Sequence, residues 1–293
     1  MTGEATDLAT LSRLMAEVRP RLHRYCARMV GSVFDGEDVL QEALEKAVEA
    51  LPAAGNLEKA ENWLFTIAHN TALDALRRRK RQAEVLLDGD SPDLPNTPPE
   101  AESWIAATAS LATLMQLPVL QRSTVVLMDV LEYSLSEAVD ILGATLPAVK
   151  AALHRGRVRL KTLANVDASA PPHLSAEEHA RLCSYAERFN ARDFDALRNL
   201  LAEDVRLDLV NRRRLVGRKD VLIYFTRYSE TSDWKFAPGL AEGRPALLVT
   251  TPADATGTVS YVVLLDWMHG RITGIRDFHY ARYVTHGLAV TML

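Results

Sequence analysis

Apolar residues recur at intervals of three and four along the first 81 positions, which is the spacing of helices with one buried face. Three successive segments share this spacing. Their apolar positions are Leu11, Leu14, Val18, Leu22, Tyr25 and Met29; Leu40, Leu44, Ala47 and Leu51; and Leu64, Ala68, Ala72 and Leu76. The pattern predicts a small helical bundle whose last helix ends in a run of cations at residues 77–81.

The helical pattern is interrupted and then resumes. Residues 88–99 are rich in Pro and Asp, which cannot continue a helix and offer little to bury, so we predict a linker there. Helical spacing returns from about Ala101 and continues to Leu131. A second break, with Pro171 and Pro172, ends the helical part of the chain.

Residues 133–163 have the pattern of a helix-turn-helix. Ser134 and Glu137 have the S-x-x-E spacing of a capping box, and Gly143 ends the short helix that they open. Thr145 can cap the next helix. The turn between the two helices is therefore about three residues long, as this motif requires.

The second helix of this motif concentrates positive charge. Its basic residues are Lys150, His154, Arg155, Arg157, Arg159 and Lys161, with no acid among them. A basic helix face that merely contacts solvent would normally include Glu or Asp at i,i+4 spacing, so the pattern favours contact with nucleic acid. The apolar residues expected to pack inward are Leu146, Val149, Leu153, Val158 and Leu160. The low helix propensity of Gly156 predicts less rigid C-terminal turns.

From about residue 175 the pattern changes to strands mixed with helices. Apolar spacing predicts helices near residues 182–189, 194–201 and 221–228. Strands are predicted at residues 205–210, 234–237, 246–250, 259–267 and 271–280. His269 and Gly270 predict a tight hairpin between the last two strands. This mixture predicts an α+β domain with helices on one face of a mainly antiparallel sheet.

Composition is that of an ordinary globular protein. At 293 residues, with 48% apolar and 25% charged residues and a net charge of -4, the chain is long enough for two or three domains. It has no run of about 18 apolar residues and no leader pattern, so we expect a cytoplasmic protein. Cys26 and Cys183 are expected to be buried thiols, and the histidines lack metal-ligand spacing. We therefore expect neither a metal nor a cofactor.

Three motifs give the helical part a family resemblance. They are DGEDVLQE at residues 35–42, NWLFTIAHN at 62–70 followed by DALRRR at 74–79, and LPVLQR at 117–122 leading to VKAALHR at 149–155. In this order and spacing they resemble an extracytoplasmic-function sigma factor of bacterial RNA polymerase. The resemblance covers about the first 165 residues.

This resemblance implies contacts with core RNA polymerase and with the minus-ten promoter element. The implied polymerase contacts are Asp35, Asp38, Gln41 and Glu42; an acidic helix face that contacts only solvent is the alternative. The third helix and the loop before it, at about residues 52–60, would read the minus-ten element. The implied contacts there are Asn62, Trp63, His69, Asn70, Arg77, Arg78 and Arg79. Trp63 and Phe65 could instead be core residues, which we favour for Phe65.

The resemblance also implies that the helix-turn-helix lies in the major groove at the minus-thirty-five element. The implied contacts are Thr145, Lys150, His154, Arg155 and Arg157. Lys150 and His154 are four residues apart and can share the groove-facing side, whereas Arg155 and Arg157 are expected to bind phosphates. Ala151, Ala152 and Gly156 depart from the residues more common in the family.

The C-terminal part resembles SnoaL-like domains, cone-shaped α+β folds shared with nuclear-transport-factor-like proteins. Its candidate pocket residues are Asp208, Tyr224, Asp277 and His279. A carboxylate and an imidazole in an apolar cone could transfer protons, but a structural role is the alternative that we favour, so we expect no enzyme. Some sigma factors carry such a domain as a fused regulator, which implies intramolecular contact with the sigma domains and leaves room for a small-molecule ligand.

The expected architecture is therefore multidomain, with two all-α helical domains followed by an α+β domain. The expected boundaries are a region 2 bundle at residues 1–83, a linker at 84–102, a region 4 helix-turn-helix at 103–166, a linker at 167–174 and the SnoaL-like domain at 175–293. A helix-turn-helix transcription regulator with a small-molecule sensor domain is the alternative function. Such a regulator would not need the acidic polymerase face of the second helix.

Overall fold

A computed structural model describes residues 7–55, 57–84, 109–163, 174–252 and 256–293 of the protein. The chain divides into two compact units, Met1–Ala168 and Ser169–Leu293. Of the linker predicted at residues 84–102, only Glu84 is among the described residues. Of the linker predicted at residues 167–174, only Leu174 is among them. The resumption of helix predicted at Ala101 also lies outside the described residues.

The first unit begins with a bundle of three helices, α1 (Leu8–Val30), α2 (Val33–Ala54) and α3 (Ala60–Glu84). Asp7 caps α1 by accepting the N–H of Thr10, and Ser32 caps α2. The fully buried side chains of this bundle include Leu11, Leu22, Tyr25, Met29, Phe34, Leu40 and Phe65. The predicted helical bundle is confirmed, as is the core position favoured for Phe65.

A close approach of α1 and α2 explains one glycine of the second helix. A Cβ atom on Gly36 would lie 2.6 Å from both the Cα and the backbone nitrogen of Ala27. Backbone atoms cannot move aside as a flexible side chain can, so only glycine fits here. Gly36 is therefore a packing residue within the predicted polymerase motif.

The rest of the first unit contains α4 (Leu111–Met115), α5 (Val119–Val125), a π-helical turn at Val126–Val130, α6 (Leu135–Leu142) and α7 (Leu146–Leu163). The capping box of Ser134 and Glu137 is present, and Gly143 ends α6 with a left-handed φ of 58°. The Thr145 hydroxyl accepts the N–H of Ala148 at 3.4 Å. The predicted helix-turn-helix is thus confirmed.

The buried face of α7 differs in part from the prediction. Val149 and Leu160 are buried as expected, but Leu146 is 45% exposed. Gly156 is also buried, and a Cβ there would lie 2.7 Å from Cγ2 of Val125. We correct its interpretation: Gly156 allows α7 to pack closely on α5, which is a packing role and does not imply loose turns.

One hydrophobic core joins the two halves of the first unit. Phe65 of α3 lies with its ring centroid 5.0 Å from that of Tyr133, which precedes α6. Ile141 of α6 and Val149 of α7 are buried in the same cluster as the bundle residues. The helix-turn-helix therefore packs against α3 in this structure.

The second unit combines helices with a mixed sheet. Its helices are α8 (Ala176–Asn190), α9 (Phe194–Asn199) and α10 (Arg218–Ser229), with a 3-10 turn at Arg282–Thr285. Its strands are β1 (Leu201–Leu209), β2 (Arg213–Val216), β3 (Lys235–Ala241), β4 (Arg244–Thr250), β5 (Val259–Met268), β6 (Arg271–Asp277) and β7 (Val290–Met292). The spatial order is β2-β1-β6-β5-β4-β3-β7, and β1 with β6 is the parallel pair.

Both longer helices share one core with this sheet. The Phe189 ring of α8 lies 6.2 Å from that of Phe225 in α10 and 4.0 Å from that of Phe236 in β3. His269 and Gly270 have φ values of 51° and 74°, which confirms the tight hairpin between β5 and β6. The predicted α+β class is confirmed. Each of the five predicted strands overlaps an observed strand, namely β1, β3, β4, β5 or β6.

Other elements of the second unit were not predicted. The strands β2 and β7 are short and mostly exposed, so they lack the alternation of buried positions that identifies a strand in sequence. Leu201, expected in a helix, begins β1 instead. Cys26 is buried as expected, whereas Cys183 is only half-buried, and both thiols are free. None of the helices among the described residues combines the length and the apolar character that a membrane span requires.

Candidate functional site

Two acidic residues of α2, Asp35 and Glu42, form ion pairs with α3. Asp35 pairs with Arg79 at 2.5 Å, and Glu42 pairs with Arg78 at 2.7 Å and with Lys46 at 2.8 Å. The hydrogen bonds from Arg78 and then Lys46 lower the pKa of Glu42 to about 2. The predicted polymerase contacts on α2 thus meet the predicted DNA contacts on α3.

Asp38 and Gln41 are the other two predicted polymerase contacts on α2. Asp38 is exposed to solvent. The Gln41 amide donates to Glu45 at 2.9 Å, one turn further along. Of the four predicted residues, Asp38 is exposed, whereas the other three are half-buried.

The exposed side of α3 carries most of its predicted DNA contacts. Asn70, Arg77 and Arg78 are exposed, while Asn62 and Trp63 are half-buried. Trp63 also packs against the hydrophobic core, so its side chain is partly a core residue and partly accessible for DNA contact. The loop before α3 is shorter than residues 52–60, because α2 continues to Ala54.

Two of the predicted minus-ten contacts have structural partners. His69 is only 6% exposed, and its Nδ1 lies 2.7 Å from the Tyr25 hydroxyl. Burial lowers the pKa of His69 to about 4, so the ring is neutral at pH 7. Arg79 donates to the Val30 carbonyl at 2.7 Å as well as pairing with Asp35. We therefore correct the prediction for His69, which is a core residue.

The first turns of α7 present three predicted contacts on its outer side. Lys150, His154 and Arg155 are exposed, and Thr145 is exposed at the cap. They follow the turn of the helix-turn-helix, where such motifs reach base edges and phosphates. This arrangement keeps their side chains available to a nucleic acid.

Arg157 lies on the other side of the same helix. Its Nε donates to Asp129 at 2.9 Å, and its second nitrogen lies 2.5 Å from the other carboxylate oxygen. The Asp129 side chain is only 1% exposed. This fork-like pair raises the pKa of Arg157, first through the hydrogen bond to Asp129. Arg157 thus anchors α7 to the π-helical turn, and the predicted phosphate contact would compete with Asp129 for its guanidinium group.

The second unit brings together three of its four predicted pocket residues. Tyr224 of α10, Asp277 at the end of β6 and His279 line one cavity of about 250 Å³. Asp208 does not line it. Its register partner on β6 is Arg276, which lies on the opposite face from Asp277 because side chains alternate along a strand. Asp208 therefore belongs to a surface ion pair with Arg276 and Arg214.

Asp277 is buried and has three hydrogen-bond donors. The hydroxyls of Tyr224 and Tyr228 donate to one carboxylate oxygen at 2.9 and 2.7 Å, and the backbone N–H of His279 donates to the other at 2.8 Å. Burial raises the pKa of Asp277, and these bonds oppose that effect. Tyr228 also lies 3.1 Å from the Tyr261 hydroxyl. Asp277 is thus the centre of a buried polar network.

Comparison with known proteins identifies both halves of the helical unit. The Sigma-70 region 2 model matches residues 14–82, and the Sigma-70 region 4 model matches residues 110–160. The ECF RNA polymerase sigma factor SigM of Mycobacterium tuberculosis is 31% identical over 159 residues, which are 54% of this chain and 79% of SigM. The chain belongs to the ECF RNA polymerase sigma factors.

A second relative aligns over more of this ECF sigma factor. SigG of Mycobacterium tuberculosis is 31% identical over 215 residues, which are 64% of this chain. The chain spans only 57% of the length of SigG. For the second unit, a solved neighbour is a putative ketosteroid isomerase from Kribbella flavida, with 25% identity over 34% of this chain and 76% of that one, and a TM-score of 0.26.

The site residues that sequence reasoning missed in this ECF sigma factor are partners of predicted ones. Tyr228 lies one helical turn after Tyr224, so its i,i+4 spacing on α10 was a usable signal. Asp129 lies 28 positions before Arg157, and Tyr25 lies 44 positions before His69. No local pattern links such distant pairs. Within the described residues, no group of three or more His, Cys, Asp or Glu could hold a metal.

Proposed function

We propose that this protein binds core RNA polymerase, recognises minus-ten and minus-thirty-five promoter elements and initiates transcription. Membership of the ECF sigma factor family carries this proposal. The exposed basic residues at the start of α7 supply a surface that suits the minus-thirty-five element. Lys150 and His154 are the proposed base contacts there, and Arg155 is the proposed phosphate contact.

The outer side of α2 is the proposed polymerase contact. Its acidic and amide groups suit a basic partner, and Asp38 points outward. The outer side of α3, with Asn62, Trp63 and Asn70 before its terminal arginines, is the proposed minus-ten contact. The ion pairs between Glu42 and Arg78 and between Asp35 and Arg79 would have to rearrange if both surfaces are used at once.

The direct test is run-off transcription with core RNA polymerase on a library of promoter fragments, with and without this protein. Specific initiation that requires the protein is expected, and the selected fragments would define both promoter elements. Specific DNA binding without core polymerase, combined with no initiation in its presence, would support the sensor-regulator alternative and overturn this proposal.

The polymerase contact has its own test in a matched pair of charge reversals. Asp38→Lys is expected to reduce retention of the protein on immobilised core polymerase by at least about tenfold, since a like charge replaces an attractive one. Glu17→Lys, at an exposed position of α1, is the control and should leave retention unchanged. Equal retention of the two variants would reject the assignment of this face.

We further propose that the second unit regulates the sigma domains in cis and is not an enzyme. Its compactness as a separate unit supports this proposal, because a tethered unit acts at high effective concentration on its neighbour. Truncation after Val166 tests it through transcription from the selected promoter. A changed output at equal protein level is expected, and an unchanged output would reject regulation by this unit.

A further inference from the structure

The cavity of the second unit has aromatic walls and a small volume. Its walls include Tyr224, Tyr228, Trp234 and Tyr280, and Leu209 adds an aliphatic side chain. A dry cavity of about 150 Å³ is enough to hold benzene. At about 250 Å³ this cavity can therefore hold one six-membered ring with a few further atoms.

The inner end of the cavity does not favour an anion. Asp277 lies there, and burial raises the pKa values of Tyr224 and Tyr228, so both tyrosines stay protonated. Burial also lowers the pKa of His279, an effect that Asp277 opposes. An anionic group of a ligand would have to lie next to the Asp277 carboxyl, without a cation at the inner end to balance it.

His279 leaves one polar atom of this inner end without a partner. Its Nδ1 is buried and makes no hydrogen bond with the described residues. The ring lies edge-on to Tyr261 and Tyr280, with centroid distances of 4.8 and 4.9 Å. A ligand hydroxyl can pair with this nitrogen in either tautomer, because a hydroxyl both donates and accepts.

The outer end of the cavity has the opposite character. The guanidinium carbons of Arg212 and Arg227 lie 5.4 and 5.0 Å from the centroid of the same Tyr280 ring. Arg227 lines the cavity, and Arg212 lines an adjoining groove that shares Tyr224 and Arg227 with it. Two like charges held against one ring repel each other, and an anion between them would remove that repulsion.

Two other arginines of the second unit have acidic partners. Arg218 pairs with Glu203 at 3.0 Å, and Arg198 pairs with Asp195 at 2.7 Å. Among the described residues, neither Arg212 nor Arg227 has an acidic side chain within salt-bridge distance. Asp233 lines the cavity and Glu230 lines the adjoining groove, so these two carboxylates face three guanidinium groups, those of Arg212, Arg213 and Arg227.

We propose that the cavity of the second unit binds a single-ring aromatic carboxylate that carries a hydroxyl opposite its carboxyl group. The ring lies between the aromatic walls, the hydroxyl pairs with Nδ1 of His279, and the carboxylate lies between Arg212 and Arg227. The reverse orientation is disfavoured because it would bury the ligand carboxylate beside Asp277, away from both arginines. This inference concerns binding by the second unit and does not depend on the transcription assay.

Calorimetric titration of the full chain with four probes tests the chemistry. The probes are 4-hydroxybenzoate, benzoate, phenol and 4-(aminomethyl)phenol. We expect 4-hydroxybenzoate to bind with a Kd below about 1 mM. Benzoate and phenol should each bind at least about fivefold more weakly because each lacks one polar contact, and the amine should bind most weakly because its cation meets the arginines.

Variants assign the two ends of the ligand. Arg212→Gln with Arg227→Gln should weaken 4-hydroxybenzoate at least about fivefold and leave phenol unchanged, whereas His279→Phe should remove the advantage of 4-hydroxybenzoate over benzoate. Arg198→Gln is the control outside the cavity. Thermal melts check that each variant is folded, and Arg212→Gln alone, at an exposed position, replaces the double variant if that one melts early.

Three results would overturn the proposal. One is the absence of binding by any probe below about 10 mM. Another is an affinity for the amine or for phenol that equals the affinity for 4-hydroxybenzoate. The third is an affinity for 4-hydroxybenzoate that is the same in the arginine variants as in the unaltered chain.

Discussion

His69 shows how burial decides the role of a single residue. Its motif implies DNA contact, yet the side chain is 6% exposed and its Nδ1 lies 2.7 Å from the Tyr25 hydroxyl. The hydroxyl can satisfy that ring nitrogen without a charge, while burial penalises the imidazolium form. The result is a neutral core histidine beside the proposed DNA-contact surface of α3.

This histidine predicts a specific dependence of stability on pH. Burial lowers its pKa from 6.5 to about 4, so between these values the unfolded chain takes up a proton that the folded chain does not. The contribution of His69 to the free energy of unfolding is therefore complete above pH 6.5. It decreases by about 2–3 kcal/mol as the pH falls to about 4.5. His69→Gln should reduce this fall, measured as the free energy of unfolding in urea at pH 7 and pH 4.5.

The exposed His154 provides the control for this measurement. His154→Gln should leave the change in unfolding free energy between the two pH values as it is in the unaltered chain. If His69→Gln loses as much stability on acidification as His154→Gln does, the buried neutral state of His69 is contradicted.

At the level of the element, α7 has one side exposed to solvent and one side packed against the rest of the helical unit. The outer side presents Lys150, His154 and Arg155 to solvent. The inner side carries Gly156, which allows close approach to α5, and Arg157, which pairs with the buried carboxylate of Asp129. The same run of basic residues therefore combines a proposed surface for nucleic acid with an anchor that orients the helix.

Substitution of two arginines that lie two positions apart separates these roles. Arg157→Ala should destabilise the protein by about 2 kcal/mol, because it leaves Asp129 buried without its cation. Arg155→Ala should change stability by less than about 0.5 kcal/mol. It should weaken promoter binding and reduce the slope of log affinity against log salt by about one. Urea unfolding and salt-dependent DNA titrations measure the two effects; a reversed pattern would exchange the assignments.

The helical unit, in its packed arrangement, is smaller than the distance between the two promoter elements that it is proposed to recognise. A compact unit of about 160 residues has a radius of gyration of about 15 Å and hence a diameter of about 40 Å. Promoter elements centred about 25 base pairs apart are separated by about 85 Å along DNA. The packed arrangement of α3 with α6 therefore cannot reach both elements at once, so the proposed function predicts that the two halves separate on a promoter.

Arg21 is the polar centre of the contact between these halves. It pairs with Glu61 of α3, donates to the Leu131 carbonyl at 3.2 Å and lies 4.9 Å from the Tyr133 ring centroid. The Tyr133 hydroxyl donates to the same Glu61 carboxylate at 2.5 Å. Loss of Arg21 would weaken the packed arrangement without touching the proposed DNA-contact residues.

Arg21→Ala should accordingly raise the affinity of the polymerase complex for promoter DNA by about fivefold, since about 1 kcal/mol less is needed to separate the halves. Fluorescence anisotropy with labelled promoter measures this affinity. Arg13→Ala, at an exposed position of the same helix, is the control. An unchanged or lower affinity of a folded Arg21→Ala variant would contradict the need for separation.

Sequence reasoning succeeded where the deciding interactions are local. The capping box joins residues three apart, Gly143 ends α6 with its own backbone, and His269 with Gly270 forms a two-residue hairpin. The buried periodicity of the first three helices likewise repeats within each helix. These features predicted the helical bundle, the helix-turn-helix and most of the sheet.

The sequence by itself thus determined the elements, the family motifs and the basic surface of α7, because each depends on neighbouring residues. Only the tertiary structure decided which polar groups are available. Asp129 engages Arg157, Tyr25 engages His69, and Arg276 engages Asp208 on the face opposite the cavity. These partners come from distant segments, and the free energy of a polar side chain depends on the burial and charges that such segments bring to it.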